Sequence, residues 1–360
     1  MALHFSRDTK VYLEHSGSIW EIPVLDGFSF SQATNASEIT LNEMSDTNGN
    51  SRRARQMFND SYAPAEWSFA SYMRPNASGY PVEDALWASF FTDATWNGTV
   101  WSGSSMTVSG SALTVSSQSS NKATLRTFNL YFVMGAGQAA SANYTSSSSI
   151  TIYKIANCIP NEASIDFEVD GIATINWSGF GKIITDEASF DASVIVARNV
   201  ASTSNFIRNR LTQLSIVGDS NQSISGTYAV TLTGGNITFN NNITYLTPET
   251  LGVINQPLEH VTGTRNIGGN FTCYLGTNAN ESIDLFESLI EATSLVTNSF
   301  ALTFTIGGAT APKVAISLPN CHLEIPQHSI EDVISLETTF HALPSNIDSA
   351  DEVTIVYTGA

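Results

Sequence analysis

The chain is poor in charge and above all in cations. Of 360 residues, charged ones make up 13%, about half the roughly 25% usual for soluble domains. Lys and Arg number 15 against 33 Asp and Glu, a net charge of −18. After Lys313 neither Lys nor Arg recurs, while Glu324, Glu331, Asp332, Glu337, Asp348, Asp351 and Glu352 follow. Such a surface repels phosphate backbones and excludes tight, sequence-independent binding to nucleic acid. Three cysteines, Cys158, Cys273 and Cys321, are too few for a disulfide framework in a chain this long. No apolar run approaches the roughly 20 residues that span a bilayer, and residues 1–7 lack the apolar centre of a secretion signal. The expectation is a soluble protein made in the cytosol. Sequons such as those at Asn76 and Asn97 are then chance products of a composition rich in Asn, Ser and Thr.

Chemical motifs are equally scarce. There is no P-loop, nucleophile elbow or kinase signature. Gly135-Ala136-Gly137-Gln138-Ala139-Ala140 matches a dinucleotide fingerprint, but a phosphate site also needs a helix to open there. The next stretch, Ser141 to Ser149, reads as loop. His322, Glu324 and His328 are interrupted by Pro326 and fit no zinc spacing. Cys158 and Cys321 read as small core residues without an orienting partner for nucleophilic chemistry. Neither an enzyme nor a metal or cofactor site is expected.

What the chain has is 42% hydrophobic residues, enough for a core, set among the Ser, Thr and Asn typical of β-rich surfaces. Internal repetition organises it. Phe128–Met134 alternates apolar and polar residues with the period of a half-buried strand, and Phe300–Ile306 repeats the register. A glycine turn follows each (Gly135 to Gly137; Gly307-Gly308), and then Tyr153–Cys158 matches Ile316–Cys321. Upstream, Phe69–Met73 parallels Phe271–Leu275, each followed by a short amphipathic helix, over Val82–Phe91 and Ser282–Ile290. Phe5–Asp8 resembles Phe206–Asn209, and Leu25–Phe30 loosely resembles Thr233–Phe239. The fold class expected is mostly β: two tandem copies of one domain, each with one flanking helix, over residues 1–200 and 201–360. The first copy carries insertions near 42–62, a polar protruding loop, and near 92–123, a Ser-rich stretch that reads as an extra surface hairpin.

Two charge features stand out. Ile165-Asp166-Phe167-Glu168-Val169-Asp170-Gly171 alternates apolar and acidic residues. On a strand this places three carboxylates on one face about 7 Å apart, with no cation between them. Arg52, Arg53 and Arg55 form the one dense basic cluster, on the protruding loop. In so acidic a molecule its natural partner is an acidic surface of another copy.

Together these residues resemble a bacteriophage tail tube protein. The resemblance rests on Val11–Glu14 behind a short N-terminal arm, on Ala65–Pro75, and above all on Ala163–Gly181. It implies a β-sandwich or barrel domain with one helix, six of which form a ring whose inner strands make a continuous β-barrel. Stacked rings build the hollow tube that conducts DNA into the host cell. Two domains per chain imply three chains per ring, since head-to-tail contacts must close. Asp166, Glu168 and Asp170 would then line the lumen, with Glu337 in the second copy, and Arg52, Arg53 and Arg55 would reach an adjacent ring or subunit. The partners implied are further copies of this chain, the tip or baseplate, terminator and sheath proteins of the tail, and DNA that passes without specific binding. No membrane contact is implied. The place implied is the virion tail, assembled in the host cytoplasm. A β-sandwich adhesin or receptor-binding protein is the alternative.

Overall fold

The structure is a computed structural model that describes residues 3–39, 48, 56–118, 125–198, 202–218, 226–252, 254–291, 299–330 and 332–360. Its first strands are β1 (Lys10–His15), β2 (Ser18–Ile22), β3 (Ser29–Glu38) and β4 (Met57–Tyr72). Helix α1 (Asp84–Phe91) comes next, then the short strands β5 (Thr95–Trp96), β6 (Trp101–Ser102), β7 (Met106–Ser109) and β8 (Ala112–Ser116). There follow β9 (Phe128–Met134), β10 (Asn143–Thr145), β11 (Thr151–Phe167), β12 (Thr174–Gly181), β13 (Ile184–Asp186) and β14 (Ser189–Asp191). The later part begins with β15 (Gln213–Gly218), β16 (Thr227–Ala229), β17 (Leu232–Asn240), β18 (Ile243–Leu246), β19 (Glu259–Thr262) and β20 (Asn266–Tyr274). After α2 (Ser282–Glu291) it ends with β21 (Phe300–Ile306), β22 (Lys313–Leu323), β23 (Gln327–Ser329), β24 (Ser335–Ala342) and β25 (Thr354–Thr358).

The molecule is mostly β, and its strand pairs are antiparallel. The expected strands at Phe128–Met134 and Phe300–Ile306 form as β9 and β21, because alternate Phe and Leu side chains all face one interior. Along the ladders, β2–β1–β9–β11–β12–β4–β3 are successive neighbours in the first part. In the later part the order is β16–β15–β21–β22–β24–β20–β17. A helix follows β4 in one and β20 in the other. Even the irregularities coincide. Phe128 faces Cys158 and Phe300 faces Cys321 across a register shift, and each buried thiol donates to the carbonyl three residues back, of Ile155 and Leu318.

β11 joins the two parts. Its bulge near Cys158 bends it out of the ladder with β9, and its far half, Glu162–Phe167, pairs with β17. The result is one sheet running β3–β4–β12–β11–β17–β20–β24. Its inner face carries the core: Trp67, Phe69, Trp177, Ile165, Ile237, Phe239 and Phe271 are all buried. Helix α1 lies against this face with every residue buried. Trp87 meets Trp177 and Phe239 edge-on at centroid distances of 4.8 and 5.4 Å. Thr92 ends the helix and donates its hydroxyl to the Ala88 carbonyl.

The Ser-rich insertion does not sit on the surface as a separate hairpin. β7 and β8 pair with each other, but β8 also pairs over five residues with β25, near the end of the chain. Leu113 and Val115, both fully buried, face Tyr357 and Ile355. Alternate apolar residues on β25 need a neighbour, and this hairpin supplies it.

Candidate functional site: the polar face of the joined sheet

Strand alternation that buries Trp67, Trp177 and Ile237 turns their neighbours to the opposite face. In one cross-strand row stand Ser68, Ser178, Glu162, Asn240 and Asn266. The next row holds Ala70, Asn176, Ser164, Thr238, Gly268 and His341. A third holds Asp166, Asn236, Asn270 and Thr339. Two shallow hollows of about 290 and 280 Å³ lie over β3, β4, β11 and β12. Two glycines make the close strand approach possible. A Cβ on Gly269 would stand 2.0 Å from the Asn236 carbonyl, and one on Gly179 would stand 2.5 Å from the Trp67 ring.

Neither Lys nor Arg occurs in β3, β4, β12, β17, β20, β23 or β24, nor in the Glu162–Phe167 half of β11. Three carboxylates on the face are held instead by neutral amides. Asn176 donates to Asp166 at 3.4 Å, Asn240 to Glu162 at 3.3 Å, and Asn270 to Glu337 at 3.1 Å. An amide fixes a carboxylate in place without cancelling its charge, as a guanidinium would. The face is therefore ordered, hydrated and negative.

Alternation along the sequence predicts three acids on one strand here. Asp166 stands on the face as expected, but β11 ends at Phe167. Glu168 and Asp170 lie in the bend toward β12, both exposed, and Asp170 approaches Arg210 at 3.6 Å. Gly171, with φ 112°, makes that bend. Glu337 stands on the same face but on β24, which pairs as β12 does and not as β11 does. Glu162 and the three asparagines escaped the sequence reading. Their signal was weak, since an isolated Asn in a strand has no meaning until its cross-strand neighbour is known. Arg52, Arg53 and Arg55 lie outside the described residues.

The other motifs resolve into structure. Gly135 (φ 76°) opens a three-residue 3-10 turn and then loop, so no helix terminus faces a phosphate there. His328 packs edge-on against Phe286, and His341 Nε2 lies 3.3 Å from a Glu324 carboxylate oxygen. Burial pushes the Cys273 and Cys321 thiols up, to about 11 and about 12, and Cys158 well above its ordinary value. None of the three is a thiolate at neutral pH.

Residues 49–342 match the phage tail tube protein family. The chain belongs to that family. Tail tube protein pb6 of Escherichia phage T5 is 29% identical to it over 372 aligned positions, which cover 98% of this chain and 75% of pb6. The tail tube protein described here is accordingly a structural component of the virion, at home in the phage tail. Among its described residues no helix is long and apolar enough to cross a membrane.

Proposed function

We propose that three copies of this tail tube protein close a ring of six similar domains, and that stacked rings form the conduit for DNA into the host. The observation that carries the reading is a polar face without Lys or Arg. DNA brings one negative charge per roughly 1.7 Å of axis, and a wall with Lys or Arg would hold it by counterion release. A wall of serines, asparagines and amide-held carboxylates gives it nothing to bind. Glu162, Asp166 and Glu337 face the lumen in this reading, with Glu168 and Asp170 at its rim. Support for two tube domains, over residues 1–200 and 201–360, comes from the matching ladder orders and the coincident bulges at Cys158 and Cys321. Head-to-tail contacts between such domains generate a closed ring. Arg52, Arg53 and Arg55 reach an acidic surface of the adjacent ring, and tip and terminator proteins cap the ends of a tube assembled in the host cytoplasm.

Electron microscopy of the purified chain tests this. Hollow rings or tubes with three chains per ring are expected, and monomers or solid trimers under all assembly conditions would refute it. An adhesin, which the family does not favour, would give the second result. Substituting all three arginines with Glu is expected to abolish stacking while the thermal melt of the single chain stays unchanged; full-length tubes from that variant would remove the role.

A further inference from the structure

The seam between β11 and β17 shows how the two parts of the chain meet, and it also shows which edges are left over. In it, Ser164 faces Thr238, Ile165 faces Ile237 and Asp166 faces Asn236. At the outer ends of the same sheet, among the described residues, β3 pairs with β4 alone and β23 with β24 alone. The ladders make these edges counterparts of the seam. Phe69 and Phe271, matched in sequence, face Trp177 and Thr338 respectively. One step along, Asn176 and Glu337 therefore correspond, and their partners Ser164 and Gln327 correspond with them. On the other side Ile237 faces Gly269 as Phe30 faces Trp67, so Thr238 corresponds to Ser31.

We propose that the ring closes through one defined antiparallel pairing. Phe28–Ser31 of one copy meets Gln327–Ile330 of the next, with Ser31 opposite Gln327 and Ser29 opposite Ser329. This rests on the ring reading above and adds the register and the occupant, a second copy. The chemistry of the two edges suits it. Ser29, Ser31, Gln327 and Ser329 are exposed, small or neutral, and set no like charges opposite one another. Ile325 and Ile330 beside the β23 edge are 62% and 80% exposed, apolar surface that a partner would cover.

The same comparison makes the joint between chains weaker than the joint within one. Inside the chain, α1 wedges Trp87 between Trp177 and Phe239, and β8 adds a five-residue ladder to β25. The helix that follows β20 is α2, whose Phe286 is half-buried and whose Ile290 is 45% exposed. Eight residues separate α2 from β21, where thirty-six separate α1 from β9, and among the described residues the later part has no counterpart of the β7–β8 hairpin to brace the outer joint. Rings should accordingly come apart into whole, folded chains.

The test is a double variant, Ser31→Cys with Gln327→Cys, assembled and then oxidised or treated with a short dithiol-reactive linker. The native cysteines are buried and stay silent. Opposed residues in an antiparallel pair lie about 4.5–5.5 Å apart, within disulfide reach. Denaturing, non-reducing gels should show covalent dimers and trimers and nothing longer, while either single variant stays monomeric. Ser29→Cys with Ser329→Cys serves as an independent second pair. Wild-type rings visible by microscopy without cross-linking in either pair would overturn the register and leave the ring reading standing. A ladder running past three would overturn closure at three, and an absence of rings from the wild-type chain would overturn both.

Discussion

Glu83 and Asp84 are adjacent carboxylates, both fully buried at the start of α1. Tyr357 donates to Glu83 at 2.9 Å and itself accepts from Trp87 Nε1 at 2.9 Å. Arg198 donates Nε to Asp84 at 2.7 Å with its guanidinium 3.8 Å from the centre of the Tyr80 ring. Burial pushes Asp84 up to about 6 even beside Arg198, and Glu83, whose partner is a neutral phenol, up to about 7. A carboxyl whose folded pKa is raised supports the fold most when protonated, and that support drains away as pH climbs through 7. Glu83 alone should cost about 2 kcal/mol between pH 5.5 and 8.5. Glu83→Gln is expected to flatten this slope in thermal melts; an unchanged slope would show that Glu83 does not titrate there. On the polar face the side chains matter for their charge and not for stability. Replacing Glu162, Asp166 and Glu337 together with Lys should leave folding intact and make assembled tubes retain duplex DNA at low salt, with release at high salt. The check is filter retention of labelled DNA, and equal retention by wild-type and variant tubes would sink the idea of a non-adhesive wall.

Among the elements, the β7–β8 hairpin has the role least expected from its composition. Thr95 to Ser117 is a polar, Ser-rich stretch whose Leu113 and Val115 announce a strand but not its partner. That partner, β25, is more than 200 residues away in sequence, and Ser117 adds hydrogen bonds to Ala350 and Glu352 at the ladder's end. Hydrogen bonds across such a ladder matter chiefly because the side chains between them are dry. Leu113→Ala should therefore destabilise the chain by about 2–5 kcal/mol, the range for emptying a packed aliphatic site. Urea denaturation reads this directly, and a loss under about 0.5 kcal/mol would mean the hairpin is ornamental. The helices divide similarly. Both were legible from apolar spacing, but α1 is buried on every side whereas α2 keeps Glu287 and Ile290 exposed.

For the whole molecule the net charge of −18 opposes association. Each added copy brings like charge to the tube, and salt screens that repulsion over about 8–10 Å at 0.1–0.15 M. Tube assembly followed by light scattering should accelerate as sodium chloride rises from low millimolar levels toward that range. Slower assembly with added salt would show that the attraction of Arg52, Arg53 and Arg55 for an acidic surface outweighs the repulsion between whole copies.

Local pattern placed the strands at Phe128–Met134 and Phe300–Ile306 and both helices, and composition set the shortage of cations, because alternation and composition are properties of short windows. It also placed Asp166 on an exposed face, since Ile165 and Phe167 had to be buried. Only the tertiary structure decided that β11 stops at Phe167 and leaves Asp170 in a bend, that Asn176, Asn240 and Asn270 hold the carboxylates, and that β8 reaches across to β25. These are pairings between strands far apart in sequence, and cross-strand register exists only once the chain has closed on itself.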